Sequence, residues 1–143
     1  MITFVLVPGA CHGGWWYEPL ARRLEQDGHA AVPVTLAGLE DEPRIDRLIT
    51  LYGVDPLPFF SERARPHPVA TFLQALPLTG AWHQVATKHY VAAQWPDETP
   101  MALSTQRAEA DPSFKVHHWD IRHNVLADGP DRVLDLLRTM PHY

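Results

Sequence analysis

Apolar positions fall along this chain in two kinds of run. Residues 2–7 (ITFVLV) are continuously apolar and rich in β-branched side chains, the pattern of a strand buried on both faces of a parallel sheet. Pro8 and Gly9 end that run and a glycine-rich turn follows (Gly9, Gly13, Gly14). In WWYEPLARRLEQDG, Trp16, Leu20 and Leu24 recur at helical spacing, and Gly28 stands where a helix stops on glycine. Residues 30–35 (AAVPVT) read as a second strand, so the first part of the chain is a β-α-β unit. Residues 37–44 read as a loop. Ile45, Leu48, Ile49 and Tyr52 share one helical face, which Gly53 closes. Prolines 56, 58, 66, 68 and 77 then break up the stretch 54–78, which suits short helices or a cap-like excursion better than sheet. Residues 89–93 (HYVAA) and 115–119 (KVHHW) read as strands. Between them a helix starts at Thr99-Pro100, runs to Ala110 and breaks at Asp111-Pro112. Asp128-Gly129-Pro130 opens a last apolar-faced helix that Pro141 stops. The order predicts an α/β fold with a mostly parallel sheet of about four strands flanked by helices. It is read as one domain over 1–143: an N-terminal β-α-β over 1–40, a proline-rich cap-like remnant over 41–80 and a C-terminal β-α-β-α over 81–143.

Composition narrows the classes. The chain has 143 residues, 45% hydrophobic and 20% charged, the balance of a soluble globular domain. A net charge of −5 argues against a nucleic-acid surface. No apolar run approaches the ~20 residues of a membrane helix. MITFVLV lacks the basic start and cleavage site of a signal peptide, and a lone cysteine forms no internal disulfide, so a cytoplasmic protein is expected. The 14 prolines are about twice the usual share. Three serines are present, at 61, 104 and 113.

Chemistry concentrates in two places. VPGACHGGWW (7–16) sets backbone N–H groups near a helix start, a geometry that stabilises anions, including the oxyanion of acyl transfer. A tight strand-to-helix turn that merely needs glycine reads the same way. Asp120-Ile121-Arg122-His123-Asn124 puts a histidine just past a strand's C-terminal end, where its near-neutral pKa suits general base work. Gly9-Ala10-Cys11-His12-Gly13 also matches G-x-C-x-G. A cysteine there gains thiolate from the helix N-terminus and could attack with His123 as base; the other reading is a packed, inert thiol.

FVLVPGACHGGWWYEPLARRLEQDGHAAVPVTLAGLE resembles the N-terminal segment of the α/β-hydrolase superfamily, and is most similar to its branch of bacterial carboxylesterases, plant methyl esterases and hydroxynitrile lyases. The resemblance resumes at LITLYGVDP, RPHPVATFLQALPLTG, HYVAA and HHWDIRHNVLADGPDRVLDLLRTM. It implies a shortened α/β-hydrolase-like fold, with the loop at Gly9, Ala10 and His12 as oxyanion or substrate-binding residues and the Ala10 N–H as donor. It implies His123 as catalytic base. The acid position falls close to Trp95-Pro96; its near neighbours Asp97 or Glu98 either orient His123 or are polar loop acids. The family usually has His at the position of Pro8 and Gly at that of Arg122. None of the serines stands in G-x-S-x-G; they read FFSER, ALSTQ and DPSFK. The family's elbow block is missing between Glu40 and Arg44.

Trp95, at the C-terminal end of a strand, either lines a small-molecule pocket or packs. His117 and His118 are adjacent on a strand and face opposite sides, and His12, His83 and His89 lack ligand spacing, so no metal and no cofactor are expected. Without the missing block, ITFVLV and HYVAA pair directly or the chain pairs with a second copy, and a homodimer is expected. Two functional classes follow. One is an enzyme acting on a small, largely apolar molecule by acid/base chemistry without a serine nucleophile (lyase, cyclase or isomerase), or a weak esterase with Cys11, His123 and Asp97 as catalytic candidates. The other is a degenerate, non-catalytic member that binds a small ligand or a protein partner.

Overall fold

A computed structural model describes residues 1–36, 79–94 and 100–140, together with 63, 67–69, 73, 75 and 77. The loop over 37–44, the helix expected over 45–52 and most of the cap-like stretch lie outside these residues. The chain divides into two compact units, Met1–Ala75 with Leu134–Tyr143, and Leu76–Val133.

In the first unit, β1 (Thr3–Leu6) and β2 (Ala30–Pro33) pair in parallel, with Val5 opposite Val32. Between them a 3₁₀ turn (Gly14–Tyr17) leads into α1 (Glu18–Gln26), so the α-helix starts after Trp16, where its apolar spacing begins. Pro19 sits in the first turn, where a missing N–H costs nothing. Leu20, Ala21 and Leu24 are buried with Leu6 and Trp16. α1 ends as expected at Gly28. The Gly28 N–H donates to the Glu25 carbonyl and the His29 N–H to that of Leu24, a Schellman motif whose left-handed residue is Gly28 at φ 83°.

The expectation of a β1 buried on both faces is corrected. Leu6 is buried, while Val5 is 62% exposed, Val7 55% and Val32 48%. The alternation of a strand sends these valines to one face, and α1 packs on β2.

In the second unit, β3 (Lys88–Ala93) and β4 (Phe114–Trp119) also pair in parallel, from Lys88–Phe114 to Ala93–Trp119. α2 (Pro100–Ala110) connects them and packs on both. Asp111 starts the turn out of α2 by accepting the Ser113 N–H at its carboxylate. A short α3 (Val125–Asp128), absent from the sequence reading, precedes α4 (Pro130–Arg138), which begins in this unit and ends in the first.

The four parallel strands are therefore present, but among the described residues they are hydrogen-bonded as two pairs, not as one sheet. Of the two expected arrangements, direct pairing of ITFVLV with HYVAA is not found among the described residues: β1 takes β2 and β3 takes β4. Each pair is joined by a short helical crossover, and the closure entropy of such a local connection is smaller than that of joining strands more than fifty residues apart. Among the described residues no helix is long and apolar enough to cross a membrane.

Candidate active site

The glycine loop is held from several sides. The His12 N–H donates to the Gly9 carbonyl (3.4 Å) and the Trp16 N–H to that of Gly13 (3.1 Å). The Gly14 N–H donates to Thr35 Oγ1 at 2.9 Å, beyond the end of β2. Tyr17 donates its hydroxyl to the Val7 carbonyl at 3.3 Å, and burial pushes its pKa up. Two glycines are required by close approach. A Cβ on Gly13 would lie 2.6 Å from Trp15 Nε1, and one on Gly14 would lie 3.1 Å from the Pro33 backbone. Gly9 faces open space. Part of the glycine signal is thus packing.

The Ala10 backbone is differently placed. Ala10 is exposed, and among the described residues its N–H makes no hydrogen bond. Its carbonyl accepts from His12 Nδ1 at 2.6 Å. The His12 ring lies back against Trp16, with centroids 4.9 Å apart at 65°, and near Trp15 at 6.0 Å. His12 therefore braces the loop with the nitrogen nearest it.

Cys11 has φ 67°, a left-handed backbone that is uncommon outside glycine and recurs at strained functional turns. Its N–H donates to Nδ1 of His67 at 3.3 Å. Burial pushes the Cys11 thiol up, and the His67 backbone N–H only partly opposes that. The direction is that of the packed thiol, opposite to the lowered pKa that an attacking cysteine would need. His67 Nδ1 is occupied by a backbone donor, so that nitrogen cannot take the thiol proton. The sequence offered no sign of this contact, since His67 stands 56 positions away in the proline-rich stretch.

In the second unit, the chain leaving β4 forms a closed loop. The Gln94 N–H, just past β3, donates to the Ile121 carbonyl at 2.8 Å. The segments leaving β3 and β4 thus start side by side at the C-terminal ends of the strands. Arg122 makes two hydrogen bonds to Asp128, 2.9 and 2.8 Å, and this guanidinium holds the Asp128 carboxyl below its ordinary range. The His123 carbonyl accepts the Val125 N–H at 2.9 Å, and Asn124 accepts two N–H groups of the α3 turn. Gly129 is buried, and a Cβ there would come within 3.1 Å of Ile121 Cδ1. The exposed His123 is carried on this braced loop. Trp95, Asp97 and Glu98 lie outside the described residues. Cys11 belongs to the first unit and His123 to the second.

His117 and His118 face opposite sides, as their alternation requires. His118 Nε2 lies 3.1 Å from Glu109 of α2, while His117 meets His89 on the other face. His89 lacks ligand spacing in the sequence, and only the register of β3 on β4 brings it to the face of His117. Among the described residues no group of three or more His, Cys, Asp or Glu could hold a metal ion.

Comparison with known proteins gives partial similarity. Salicylic acid-binding protein 2 of Nicotiana tabacum is 48% identical over 50 residues, 34% of this chain and 19% of that protein. Methylesterase 10 of Arabidopsis thaliana is 39% identical over 62 residues, 41% of this chain and 22% of that protein. The match thus spans about a fifth of the length of these curated relatives. No protein-family model matches the chain, and no solved structure matches it. The similarity supports a relationship to α/β-hydrolase-like proteins of the plant methylesterase kind over part of the chain, and the structure is a mixed α/β fold with parallel strands.

Proposed function

We propose that this chain is a shortened α/β-hydrolase-like enzyme that acts on a small, largely apolar molecule by acid/base chemistry, with His123 as the base and Asp97 as the acid that orients it. The observation that carries the reading is the Gln94–Ile121 hydrogen bond. It starts the segment bearing Asp97 and the loop bearing His123 from adjacent strand ends, where ligands of parallel α/β sheets bind. The Ala10 N–H, exposed and without a described acceptor, suits an oxyanion donor. The raised thiol pKa favours a lyase, cyclase or isomerase type of reaction, or weak ester hydrolysis by water, over attack by Cys11. The reading includes a homodimer, supported by the exposed face of Val5, Val7 and Val32, and a cytoplasmic setting, supported by the lone cysteine.

The test is turnover of a short-chain activated ester by the folded protein beside His123→Ala and Cys11→Ala. Loss with His123→Ala alone supports base catalysis on water. Loss in both variants would restore Cys11 as nucleophile. No turnover above buffer rejects the esterase arm and turns attention to lyase and isomerase substrates. Mass measurement in solution tests the dimer, which a strictly monomeric species at high concentration refutes. The second reading, a non-catalytic ligand- or partner-binding protein, is favoured by the exposure of His123, and gains if no substrate class turns over.

A further inference from the structure

His89 on β3 and His117 on β4 lie on the same face of the second sheet, because His117 pairs with Val91, two residues beyond His89. His89 Nδ1 and His117 Nε2 are 2.9 Å apart, and the rings are nearly parallel at 9° with centroids 5.1 Å apart. That centroid separation is close to the N···N distance plus one ring radius at each end. The rings therefore meet edge to edge in nearly one plane, with the two nitrogens aimed at each other. This is the geometry of an N–H···N hydrogen bond. It leaves no room for a metal ion between the nitrogens.

One ring donates and the other accepts, so at least one of these two nitrogens carries no proton. A first added proton can go to the outer nitrogen of the donor ring, which turns the contact into a charge-assisted bond. A second has to go to the accepting nitrogen, which destroys the bond and leaves two cations edge to edge. The surroundings oppose that second proton. Lys115 of β4 is the register partner of His89 on the same face. Arg132 of α4 lies over the Trp119 ring at 4.6 Å, also on that face. Glu109 of α2 pairs with His118 on the opposite face, and Lys88 of β3 points there too, over Trp82 and Phe114. Burial, His117 and Lys115 all hold the His89 pKa below the ordinary histidine value of 6.5.

We propose that His89 and His117 form a shared-proton site that bridges β3 and β4 and makes the pairing of these strands acid-labile. The site binds one proton with the bridge intact and a second only by opening it. This inference is independent of the catalytic reading. It bears on it because the same ladder carries the Gln94–Ile121 bond at its end.

The linkage has a definite sign. A histidine whose folded pKa is depressed binds fewer protons folded than unfolded just below the ordinary value. Stability is full above about pH 6.5 and falls as the pH drops through the depressed folded value.

The test uses the full chain and two readouts. NMR titration of the imidazole signals of the unaltered protein should show His89 titrating below the ordinary histidine value of 6.5, with the pair taking its second proton in a separate step that opens the bridge. Amide exchange in β3 and β4 should rise through the second step. Urea unfolding midpoints at pH 7 and pH 5 should fall further in the unaltered protein than in His89→Gln or His117→Gln, whose bridge cannot take the second proton in the same way. Titration of His89 at the ordinary value with the bridge intact would overturn the proposal. So would equal falls in midpoint for all three proteins. If a Gln variant does not fold, the titration of the unaltered protein decides alone.

Discussion

Arg122 and Asp128 close the His123 loop through two parallel hydrogen bonds, Nε to Oδ2 at 2.9 Å and Nη2 to Oδ1 at 2.8 Å. Asp128 is the more enclosed partner, with 17% of its side chain exposed against 60% for Arg122. A pair this open contributes about 1 kcal/mol or less to stability. Its consequence is local: Arg122→Ala should leave the urea midpoint nearly unchanged while amide exchange at Val125 and Ala127 speeds up. Unchanged exchange would mean that the Gln94–Ile121 bond and the α3 turn hold the loop unaided.

The thiol of Cys11 should react slowly. Burial raises its pKa above the ordinary 9.0, so the thiolate is scarce at neutral pH. The rate of alkylation by iodoacetamide should rise with pH to a midpoint above that of a free cysteine. A midpoint near or below neutrality would identify an activated nucleophile and reopen the Cys11–His123 reading.

Acid acts on the first unit as well, through a carboxylate. Arg138 donates Nε and Nη2 to the two oxygens of Asp27, at 2.8 and 2.9 Å, and holds that carboxyl below its ordinary 3.8. A depressed carboxyl contributes stability that is present above the unfolded value and lost as the pH falls through the folded one. The loss therefore belongs below pH 3.8, well beneath the histidine window. Asp27→Asn or Arg138→Ala should flatten the dependence of unfolding midpoint on pH in that range. A slope identical to the unaltered protein would assign the acid sensitivity to other groups.

Two glycines should respond to alanine for different reasons. At Gly28 no atom lies within 4 Å of the new Cβ, so the cost is the left-handed backbone alone, about 1–2 kcal/mol. At Gly14 the backbone angles are not at issue, and the Cβ meets the Pro33 and Val34 backbone at 3.1–3.2 Å. There β2 itself must shift, at about 1–3 kcal/mol. Gly14→Ala should also weaken protection of the Gly14 and Val34 amides, whereas Gly28→Ala should fray only the end of α1. Equal exchange patterns in the two variants would contradict this division.

The exposed face of the first sheet shows how far local pattern reaches. ITFVLV is legible as a strand because β-branched residues favour extended backbone. Whether both its faces are covered depends on what packs there, and Val5, Val7 and Val32 are exposed. The candidate site divides in the same way. His123 was legible as a histidine past a strand end, and the structure adds its bracing by Arg122 and Asp128. The contact of His67 with Cys11 had no local signal.

By itself the sequence determined the two β-α-β alternations, the stop of α1 at Gly28 and the span of α2, since capping, proline and periodicity act over a few residues. Tertiary structure alone decided that β1 takes β2 and β3 takes β4, that burial raises the Cys11 pKa, and that His89 meets His117 across 28 positions. Those outcomes rest on strand pairing and register, where a slip of one residue would send His117 to the face of His118.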